Sequence, residues 1–281
     1  MQIASCSSPL FPAALQGLGA DTPAQLFMLG DPSHLAPPAV AIVGTRDATH
    51  YGLRVTRMLA SAFAESGVSV ISGMARGIDA AAHRAAMEAG GRTVAVLGTG
   101  IDVPYPVGHR ELHRVLSERA CIVSEYGPGV GAHRGTFPRR NRIIAGLASL
   151  TIVVEAGHRS GALITAQQAQ KFNREVAAVP GPIDSPQSAG SNQLIRDHVQ
   201  VIASVADALS LVGVASPEER PPFQLSPEDG RLWKALAAGP VNPDELAVRC
   251  HMTTRECLAA ITSLELKGMV ECLLSGEVRR R

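Results

Sequence analysis

Three arginines lie within four positions, at Arg139, Arg140 and Arg142, and an apolar run with helical spacing follows them directly. Pro138 favours an extended backbone before them, so the arginines are predicted to lie where a loop passes into a helix. Backbone N–H groups at a helix N-terminus attract anions, and guanidinium groups match the geometry of phosphate oxygens. No acidic residue occurs over residues 126–154. The stretch indicates a phosphate-binding surface, although a solvated basic turn has the same composition.

Glycine-rich turns recur along the chain, each after a predicted strand, and two of them carry an arginine, at Arg46 and Arg76. Ligands of parallel α/β sheets bind outside the carboxyl ends of the strands, where these turns are predicted to lie. Together the turns predict a phosphate-binding rim, with tight turns that bind no ligand as the alternative. The turns are Gly44-Thr45-Arg46, Ser72-Gly73-Met74-Ala75-Arg76-Gly77, Gly98-Thr99-Gly100, Ser160-Gly161 and Pro180-Gly181.

Strands and helices are predicted to alternate through most of the chain, which is typical of an α/β fold. The strand-like runs are continuously apolar rather than alternating, so the strands are expected to be buried on both faces. The fold class predicted is therefore a mostly parallel sheet with helices on both faces. The predicted strands are Val40–Val43, Val68–Ile71, Thr93–Leu97, Cys121–Ser124, Leu150–Val154 and Val176–Val179.

The composition changes along the chain and predicts two domains. Residues 1–38 have weak helical patterning and are expected to form a short lead-in to the sheet domain, residues 39–212. Residues 213–222 are rich in proline and charge and are predicted to be a linker. Residues 223–281 are expected to form three helices and a hairpin, which suggests a small winged-helix-like domain. Their predicted elements are helices Pro227–Ala237, Asn242–Cys250 and Thr253–Lys267, with hairpin strands Met269–Leu273 and Glu277–Arg279.

Composition excludes several classes of protein. The 281 residues are 46% apolar and carry a net charge of +1, so the chain is globular and any basic surface must be local. The five cysteines are scattered without a Cys-x-x-Cys pair, which argues against a zinc site and a disulfide framework. No secretory signal is visible and no apolar run approaches about 20 residues, so we expect a cytoplasmic protein without membrane contact.

Motifs for nucleotide cofactors are missing. A P-loop needs Gly-Lys-Ser/Thr, but none of Lys171, Lys234 and Lys267 is followed by Ser or Thr. The Gly-x-Gly-x-x-Gly fingerprint is also missing after the first predicted strand. Asp79 and His83, four positions apart, have a spacing that suits a metal or a proton relay. The favoured interpretation is that Asp79 caps a helix and His83 packs or donates a hydrogen bond. No cofactor or metal is expected.

Few aromatic residues are available to stack on nucleic-acid bases. The chain has three Tyr, one Trp and six Phe, and only Phe137 and Tyr105 lie near the arginine and glycine motifs. Affinity for a nucleic acid should therefore depend mainly on phosphate contacts. Phe137 is the best stacking candidate, and a core aromatic that anchors its loop is an equal alternative.

Seven sequence stretches resemble the DprA/Smf family of bacterial DNA-processing proteins, which act in natural transformation, and the resemblance as a whole runs from about Phe11 to Leu209. The lead-in also resembles the segment that precedes the family's sheet. The stretches are Ala41-Ile-Val-Gly-Thr-Arg46, Ser72-Gly-Met-Ala-Arg-Gly-Ile-Asp-Ala-Ala-Ala-His83, Leu97-Gly-Thr-Gly-Ile-Asp102 with Tyr105-Pro106, Phe137-Pro-Arg-Arg-Asn-Arg-Ile-Ile-Ala-Gly146, Val154-Glu-Ala156, Ser160-Gly-Ala-Leu-Ile-Thr165 and Val179-Pro-Gly181.

The resemblance implies an extended Rossmann-like fold that binds single-stranded DNA, protects incoming DNA and forms homodimers. It also implies that the protein loads the recombinase RecA onto DNA coated by single-strand-binding protein. The family's DNA-contacting arginine falls on Arg46, and its basic residue before the Phe-Pro pair falls on Arg134. The predicted nucleic-acid-binding residues are Gly44, Thr45, Arg46, Ser72, Gly73, Ala75, Arg76, Gly77, Arg134, Phe137, Arg139, Asn141, Arg142, Ser160, Gly161 and Thr165.

The chain departs from the family pattern in three places. Ala162 stands where serine is common, and His198-Val199 stand where Gly-Ala is common. No full helical domain precedes the sheet, so partner contacts made by such a domain are not expected.

An enzyme is the alternative function. A related Rossmann-like family cleaves nucleoside 5′-monophosphates and carries Pro-Gly-Gly-x-Gly-Thr followed by glutamate. The comparable stretch here, Glu155–Gly161, lacks the Pro-Gly-Gly run. Glu155, Arg76 and Arg159 leave nucleotide binding or cleavage open.

The winged-helix-like domain is electrically neutral, with eight acidic and eight basic residues in 223–281. Its presumptive recognition helix, Thr253–Lys267, carries two basic and two acidic residues. Attraction to duplex phosphates should therefore be weak. We expect an accessory module that binds a protein or only assists DNA binding.

Overall fold

The structure is a computed structural model that describes residues 1–133, 135–214, 225–273 and 275–280, with the backbone alone for Ala238. The chain divides into two units, Met1–Ser216 and Pro217–Arg281. In chain order the first unit contains β1 (Gln2–Ser5), α1 (Ala13–Gln16), β2 (Gln25–Gly30), β3 (Ala39–Val43), α2 (His50–Glu65), β4 (Ser69–Ser72), α3 (Ile78–Glu88), β5 (Thr93–Gly100), α4 (Arg110–Arg119), β6 (Cys121–Tyr126), α5 (Thr136–Leu147), β7 (Leu150–Val153), α6 (Gly161–Lys171), β8 (Glu175–Ala178), α7 (Ala189–Arg196), β9 (Gln200–Val201) and α8 (Val205–Ser210).

The described strands of the first unit form one sheet in the order β1-β2-β6-β5-β4-β3-β7-β8-β9. Neighbours from β6 to β9 run parallel, whereas β2 is antiparallel to both β1 and β6. The chain proceeds from β3 outward to β6 and then returns to the other side of β3 as β7. The strand order therefore reverses between β3 and β7, and open α/β sheets bind ligands at the carboxyl ends of such a pair.

Both faces of the sheet are buried, as the continuously apolar strands predicted. In β3, Ala39, Ala41 and Val43 pack into a core formed with α1, α5 and α6. Val40 and Ile42 point to the opposite face and pack against α2, α3 and α8. Successive side chains of a strand alternate between faces, so a strand covered on both sides must be apolar throughout. The predicted α/β class, with a mostly parallel sheet and helices on both faces, is confirmed.

Residues 1–38 differ from the lead-in with weak helical patterning that the sequence suggested. They contribute β1 and β2 to the sheet, and β2 pairs antiparallel with β6 at Met28 and Val123. Leu26 and Met28 are fully buried in the core formed with α1, α5 and α6. The strands β1 and β2 span 4 and 6 residues, and Gln25–Gly30 contains no β-branched residue. The β-strand propensity of these residues is therefore a poor guide, and pairing and burial against β6 decide that they form a strand.

Helix α5 begins at Thr136, so Pro138 lies within its first turn rather than in an extended entry. Proline is tolerated there because the first N–H groups of a helix have no intrahelical acceptor. The three arginines consequently belong to the helix and project from it in different directions.

The second unit contains the three helices and the hairpin that the sequence predicted, with ends shifted by one or two residues. Leu232, Leu246, Ile261 and Leu264 form its interior. Its elements are α9 (Pro227–Ala235) followed by a 3-10 turn (Leu236–Ala238), α10 (Pro243–Arg249), α11 (Thr254–Leu266), β10 (Val270–Cys272) and β11 (Val278–Arg280). Over the described residues, none of the helices combines the length and the apolar character that crossing a bilayer would require.

Candidate nucleic-acid interface

A cleft of about 730 Å³ opens at the carboxyl ends of β3 and β7, where the strand order reverses. Its walls come from the turns after these strands and from the first turns of α5 and α6. The described residues that line the cleft are Val43, Gly44, Thr45, Arg46, Ala75, Asp79, Tyr105, Phe137, Pro138, Arg140, Asn141, Ile144, Gly157, Arg159, Ser160, Gly161, Ala162, Ile164 and Thr165.

The turn after β3 holds Arg46 at the rim of the cleft. The Thr45 N–H donates to the carbonyl of Glu155 at 2.7 Å, and the Thr45 carbonyl accepts from Ile78 N–H at 3.3 Å. Gly77 has a φ of +74°, and a Cβ there would lie 2.4 Å from the Thr45 oxygen. Only glycine combines this backbone conformation with this approach. The turn is therefore fixed on both sides, and the Arg46 side chain is exposed.

Phe137 lies beneath Arg46. The Arg46 guanidinium carbon is 5.9 Å from the Phe137 ring centroid, within the range of a cation–π contact. The Tyr105 ring centroid lies 4.9 Å from that of Phe137, and a Cβ on Gly98 would come within 2.8 Å of Phe137 Cδ1. Phe137 is therefore seated against β5, and it also faces the cleft. The ring therefore anchors the first turn of α5, and its stacking on a nucleic-acid base stays a prediction.

A smaller space, the side cavity, adjoins the cleft with a volume of about 240 Å³. Arg46, Tyr105, Phe137 and Arg140 line both spaces. The side cavity thus extends the cleft along the aromatic pair. Its described lining is Arg46, Gly73, Ala75, Arg76, Leu97, Gly98, Thr99, Tyr105, Pro106, Phe137 and Arg140.

Arg140 lies at the floor of the cleft, although the sequence did not single it out from its neighbours as a binding residue. It is only 6% exposed. Its Nη1 donates to the Gly73 carbonyl at 2.7 Å and to the Val96 carbonyl, and its Nε donates to Asn141 Oδ1 at 3.2 Å. Burial lowers the pKa of Arg140 to about 10, although the charge of Asp79 acts in the opposite direction. A Cβ on Gly73 would collide with the guanidinium at 2.5 Å.

Asp79 organises the turn after β4 instead of capping α3. Its carboxylate accepts from the N–H groups of Gly73 and Ala75 at 3.2 and 3.3 Å, while Gly77 occupies the N-cap position without a side-chain bond. Burial raises the pKa of Asp79, although the charge of Arg140 lowers it. Two N–H groups that the sequence suggested for phosphate binding are therefore used inside the protein.

His83 packs in the interior, as the favoured interpretation expected. Its Nδ1 lies 2.7 Å from Thr93 Oγ1, and that hydroxyl donates to the Val70 carbonyl. The hydroxyl must then accept from Nδ1–H, so the tautomer protonated at Nδ1 is assigned. Within the described part of the chain, no cluster of three or more His, Cys, Asp or Glu side chains is placed to hold a metal ion.

Arg139 and Arg142 do not line the cleft. Both donate to Glu125 Oε1, Arg142 Nη2 at 2.6 Å and Arg139 Nη2 at 3.2 Å. The Arg142 side chain is 9% exposed and that of Arg139 is 60% exposed. Both arginines thus share one carboxylate, Glu125, which lies directly before the acid-free stretch 126–154. Arg134 lies outside the described residues.

The N-terminus of α6 forms the opposite wall of the cleft. Ser160 is its N-cap, and its Oγ accepts from Ala162 N–H at 3.3 Å. Asn141 Nδ2 donates to the Gly161 carbonyl at 3.2 Å, which ties α6 to α5. Arg159 lies just before the helix and is exposed. Positive helix-terminal potential and an arginine therefore face the same space.

Most of the predicted site residues meet around the cleft and the side cavity. Ser72 does not, because it is buried and donates to the Ile42 carbonyl at 2.7 Å. Gly77 also stays out of the lining and shapes the turn that carries Arg46. The predicted residues in the lining are Gly44, Thr45, Arg46, Gly73, Ala75, Arg76, Phe137, Asn141, Ser160, Gly161 and Thr165.

Glu155, the carboxylate of the enzyme alternative, has a structural position. Its carboxylate accepts from Thr49 N–H at 2.9 Å and from Thr49 Oγ1 at 2.5 Å. A Cβ on Gly52 would lie 2.2 Å from Glu155 Oε2. The carboxylate therefore fastens the end of β7 to the start of α2, and it is buried beneath the cleft wall.

Comparisons with known proteins agree with this geometry. The family model described as DNA recombination-mediator protein A matches residues 2–213, and that of the DprA winged helix domain matches residues 216–276. A putative DNA processing protein DprA of Mycobacterium tuberculosis (strain CDC 1551 / Oshkosh) is 42% identical over 277 residues, which cover 92% of this chain and 71% of that protein.

Two solved structures are each similar to about three quarters of the chain. DNA processing protein A from Streptococcus pneumoniae is 39% identical with a TM-score of 0.71, covering 74% of this chain and 73% of that one. DNA processing protein A from Helicobacter pylori, described for its unique single-stranded DNA binding mode, is 29% identical with a TM-score of 0.67. That match covers 75% of this chain and 95% of the Helicobacter pylori chain.

Proposed function

We infer the function from the family, because the chain belongs to the DNA recombination-mediator protein A family. We propose that it binds single-stranded DNA in the cleft at the carboxyl ends of β3 and β7. The observation that carries this proposal is the exposed Arg46 guanidinium above the Phe137 ring, at the rim of a cleft with Arg140 at its floor. A cation beside an aromatic face suits a backbone phosphate next to an unstacked base. The Helicobacter pylori relative, described as binding single-stranded DNA, supports the same ligand.

Residues around the cleft divide into two roles in this proposal. Arg46, Arg76 and the N-terminus of α6 bind phosphates, and Phe137 with Tyr105 stacks on bases. Gly44, Gly73 and Gly77 have no side chain, so neighbouring residues and the Arg140 guanidinium can approach their backbones closely. Arg134 and Arg139 stay in the proposal as phosphate contacts, and Arg142 as a support for Arg139 through Glu125. The residues that shape or line the surface are Thr45, Ser72, Ala75, Asn141, Ser160, Gly161 and Thr165.

We further propose that the protein acts as a recombination mediator in the cytoplasm during natural transformation. It protects incoming single strands, works as a homodimer and loads RecA onto DNA coated by single-strand-binding protein. The role requires no catalysis by this chain. The sequence contains no P-loop motif, and Glu155 is engaged by Thr49 rather than directed at the cleft. RecA filaments should assemble faster on coated single strands when the protein is added, and an unchanged rate would refute the mediator role.

The DNA-binding proposal is tested with the variant Arg46→Ala. Fluorescence anisotropy should show that the wild-type chain prefers a single-stranded oligonucleotide to its duplex. Affinity should fall linearly on a log–log plot against salt. Arg46→Ala removes one phosphate contact, so the affinity should drop roughly tenfold or more and the slope should become shallower by about 0.7.

Arg84→Ala is the matched control, because Arg84 is an exposed arginine of α3 outside the lining of the cleft. It should bind like the wild type. Equal loss in both variants, or no loss in Arg46→Ala, would show that the rim of the cleft is not the DNA site.

A further inference from the structure

Arg140 is a buried cation on which the charge of the nearby Asp79 carboxylate acts. Among the described residues, no carboxylate forms an ion pair with it, and its Nη2 makes no hydrogen bond. Its Nε and Nη1 are occupied by protein oxygens, which fixes the plane of the guanidinium against Gly73. Removing an arginine from water is costly unless an anion compensates it. Asp79 supplies part of that compensation without an ion pair, and a ligand anion that reaches the floor of the cleft would add to it.

Charges around the cleft favour a ligand with more than one negative charge. Among the described residues, the linings of the cleft and the side cavity carry four arginines, Arg46, Arg76, Arg140 and Arg159, against the single carboxylate of Asp79. Internal hydrogen bonds already use the N–H groups of Thr45, Gly73 and Ala75 in the turns after β3 and β4. Anion binding therefore falls to guanidinium groups and to the N-terminus of α6.

A terminal phosphate fits these features better than an internal one. An internal phosphodiester carries one negative charge, and its two ester oxygens lead to nucleosides on both sides. A phosphate monoester carries about −1.5 to −2 near pH 7 and presents three acceptor oxygens. Because Arg140 is 94% buried, only a group with a single attachment can approach it while the rest of the nucleotide stays near Phe137.

We propose that the floor of the cleft, with Arg140 and Arg159, binds the terminal phosphate monoester of a nucleotide. The source is the phosphorylated end of a DNA strand or a free nucleoside monophosphate. For the strand end, the inference rests on the proposed single-stranded DNA binding. It adds that the protein distinguishes the end of a strand from its interior. A protein seated on an end also covers it physically, which is one way of protecting a strand.

Full-length protein is titrated with internally labelled 20-nucleotide dT strands that carry a 5′-phosphate, a 3′-phosphate or hydroxyls at both ends. One phosphorylated form should bind about tenfold more tightly than the hydroxyl form, since hydrogen bonds to charged groups are worth about 1.5–3 kcal/mol. Unlabelled dTMP and thymidine are then compared as ligands by displacement and by the shift in Tm. Displacement or stabilisation by dTMP, but not by thymidine, identifies the free nucleotide as a source.

Two variants separate the phosphate subsite from general DNA binding. Arg159→Ala should remove the preference for a terminal phosphate, so that its affinities for the phosphorylated and the hydroxyl strands become equal. Arg140→Lys keeps the positive charge but loses the planar pair of guanidinium N–H donors, so it should also lose the preference for a terminal phosphate. Its Tm checks that the variant is folded. Arg84→Ala should keep the full preference.

Failure of this inference differs from failure of the proposed function. If all three strands bind with equal affinity and dTMP has no effect, the phosphate subsite is refuted and single-stranded DNA binding stands. If none of the strands binds, the proposed function fails. In that event stabilisation by dTMP alone would still support the subsite, and its absence would overturn it.

Discussion

Three neighbouring arginines of one helix have three different environments. Arg139 is exposed, Arg140 is buried beneath the cleft, and Arg142 is buried against Glu125. Successive helical residues rotate by about 100°, so adjacent side chains of the same type meet different neighbours. Charge density in the sequence therefore marked the right helix, while the role of each arginine depends on what packs against it.

Arg142→Ala is expected to reduce stability more than Arg139→Ala. Removing Arg142 leaves the nearly buried Glu125 carboxylate without its shorter ion pair, at a cost on the order of 3 kcal/mol. Arg139 is largely exposed, so its loss should cost less than about 1 kcal/mol. Urea denaturation of both variants measures the difference. Equal stability would mean that the buried pair with Arg142 contributes nothing beyond the exposed one.

His83 is expected to make stability depend on pH. Burial lowers its pKa from 6.5 to about 3, and the charges of Arg140 and His109 add to this effect. The unfolded chain thus takes up a proton at a higher pH than the folded one, so stability falls as the pH drops from about 6.5 towards 3. The slope from this residue is at most about 1.4 kcal/mol per pH unit.

His83→Asn should flatten the plot of unfolding free energy against pH in that range. His198→Asn is the control, since His198 is exposed and asparagine tolerates its φ of +65°. The two variants share all other titrating groups. A wild-type slope that survives in His83→Asn would assign the pH dependence to carboxylates instead.

At the scale of elements, the cleft depends on how closely β5 approaches α5. Gly98 in β5 leaves room for the Phe137 ring, which in turn lies under Arg46. Gly73 does the same for the Arg140 guanidinium at the end of β4. These glycines of the rim therefore act as spacers for side chains of α5, in addition to forming turns.

Gly98→Ala is expected to weaken single-stranded DNA binding while the fold is retained. The added Cβ would lie 2.8 Å from Phe137 Cδ1 and 3.4 Å from Phe137 Cα, so the ring must shift and its contact with Arg46 must change. Gly108→Ala is the control, because a Cβ there meets nothing within 4 Å. Anisotropy titration should show a loss of about 1 kcal/mol for Gly98→Ala alone, which is roughly fivefold. Equal affinities of the two variants would argue against a role of the ring position.

At the scale of the whole molecule, the second unit offers little charge to DNA. Several described basic side chains of this unit are engaged by acidic ones, as in Arg249 with Glu245 at 2.5 Å and Lys267 with Asp229 at 2.7 Å. Arg231 and Arg279 are paired in the same way with Glu228 and Glu271. The outward face of α11 presents Arg255, Ala259, Thr262 and Leu266, and Leu266 is 85% exposed. Such a face is poorly suited to duplex phosphates.

A chain that ends at Pro222 is expected to keep most of the affinity for single strands, because the described residues that line the cleft all belong to the first unit. Circular dichroism checks that the shortened chain is folded, and anisotropy compares it with the full chain. A folded, shortened chain that binds more than about tenfold worse, a loss of about 1.4 kcal/mol, would show that the second unit is part of the DNA site.

Local patterns in the sequence determined the central strands, the helices around them and the glycine and arginine turns. Runs such as Val40–Val43 are buried on both faces, and the carboxyl ends of parallel strands must meet at one edge, so the position of the cleft followed from the pattern. The three helices of the second unit were also predictable, because their apolar spacing and their caps are local features.

Tertiary structure alone decided which side chains share a neighbour. Residues 25–30 form a strand because β6 offers them a partner, and their own composition does not specify one. Arg140 lies at the floor of the cleft because it donates hydrogen bonds to the carbonyls of Gly73 and Val96. Arg142 does not reach the cleft, because it pairs with Glu125, which is 17 residues away in the sequence. Asp79 uses the backbone donors that a phosphate was expected to take. Such pairings depend on distance in space, which the order of residues along the chain does not encode directly.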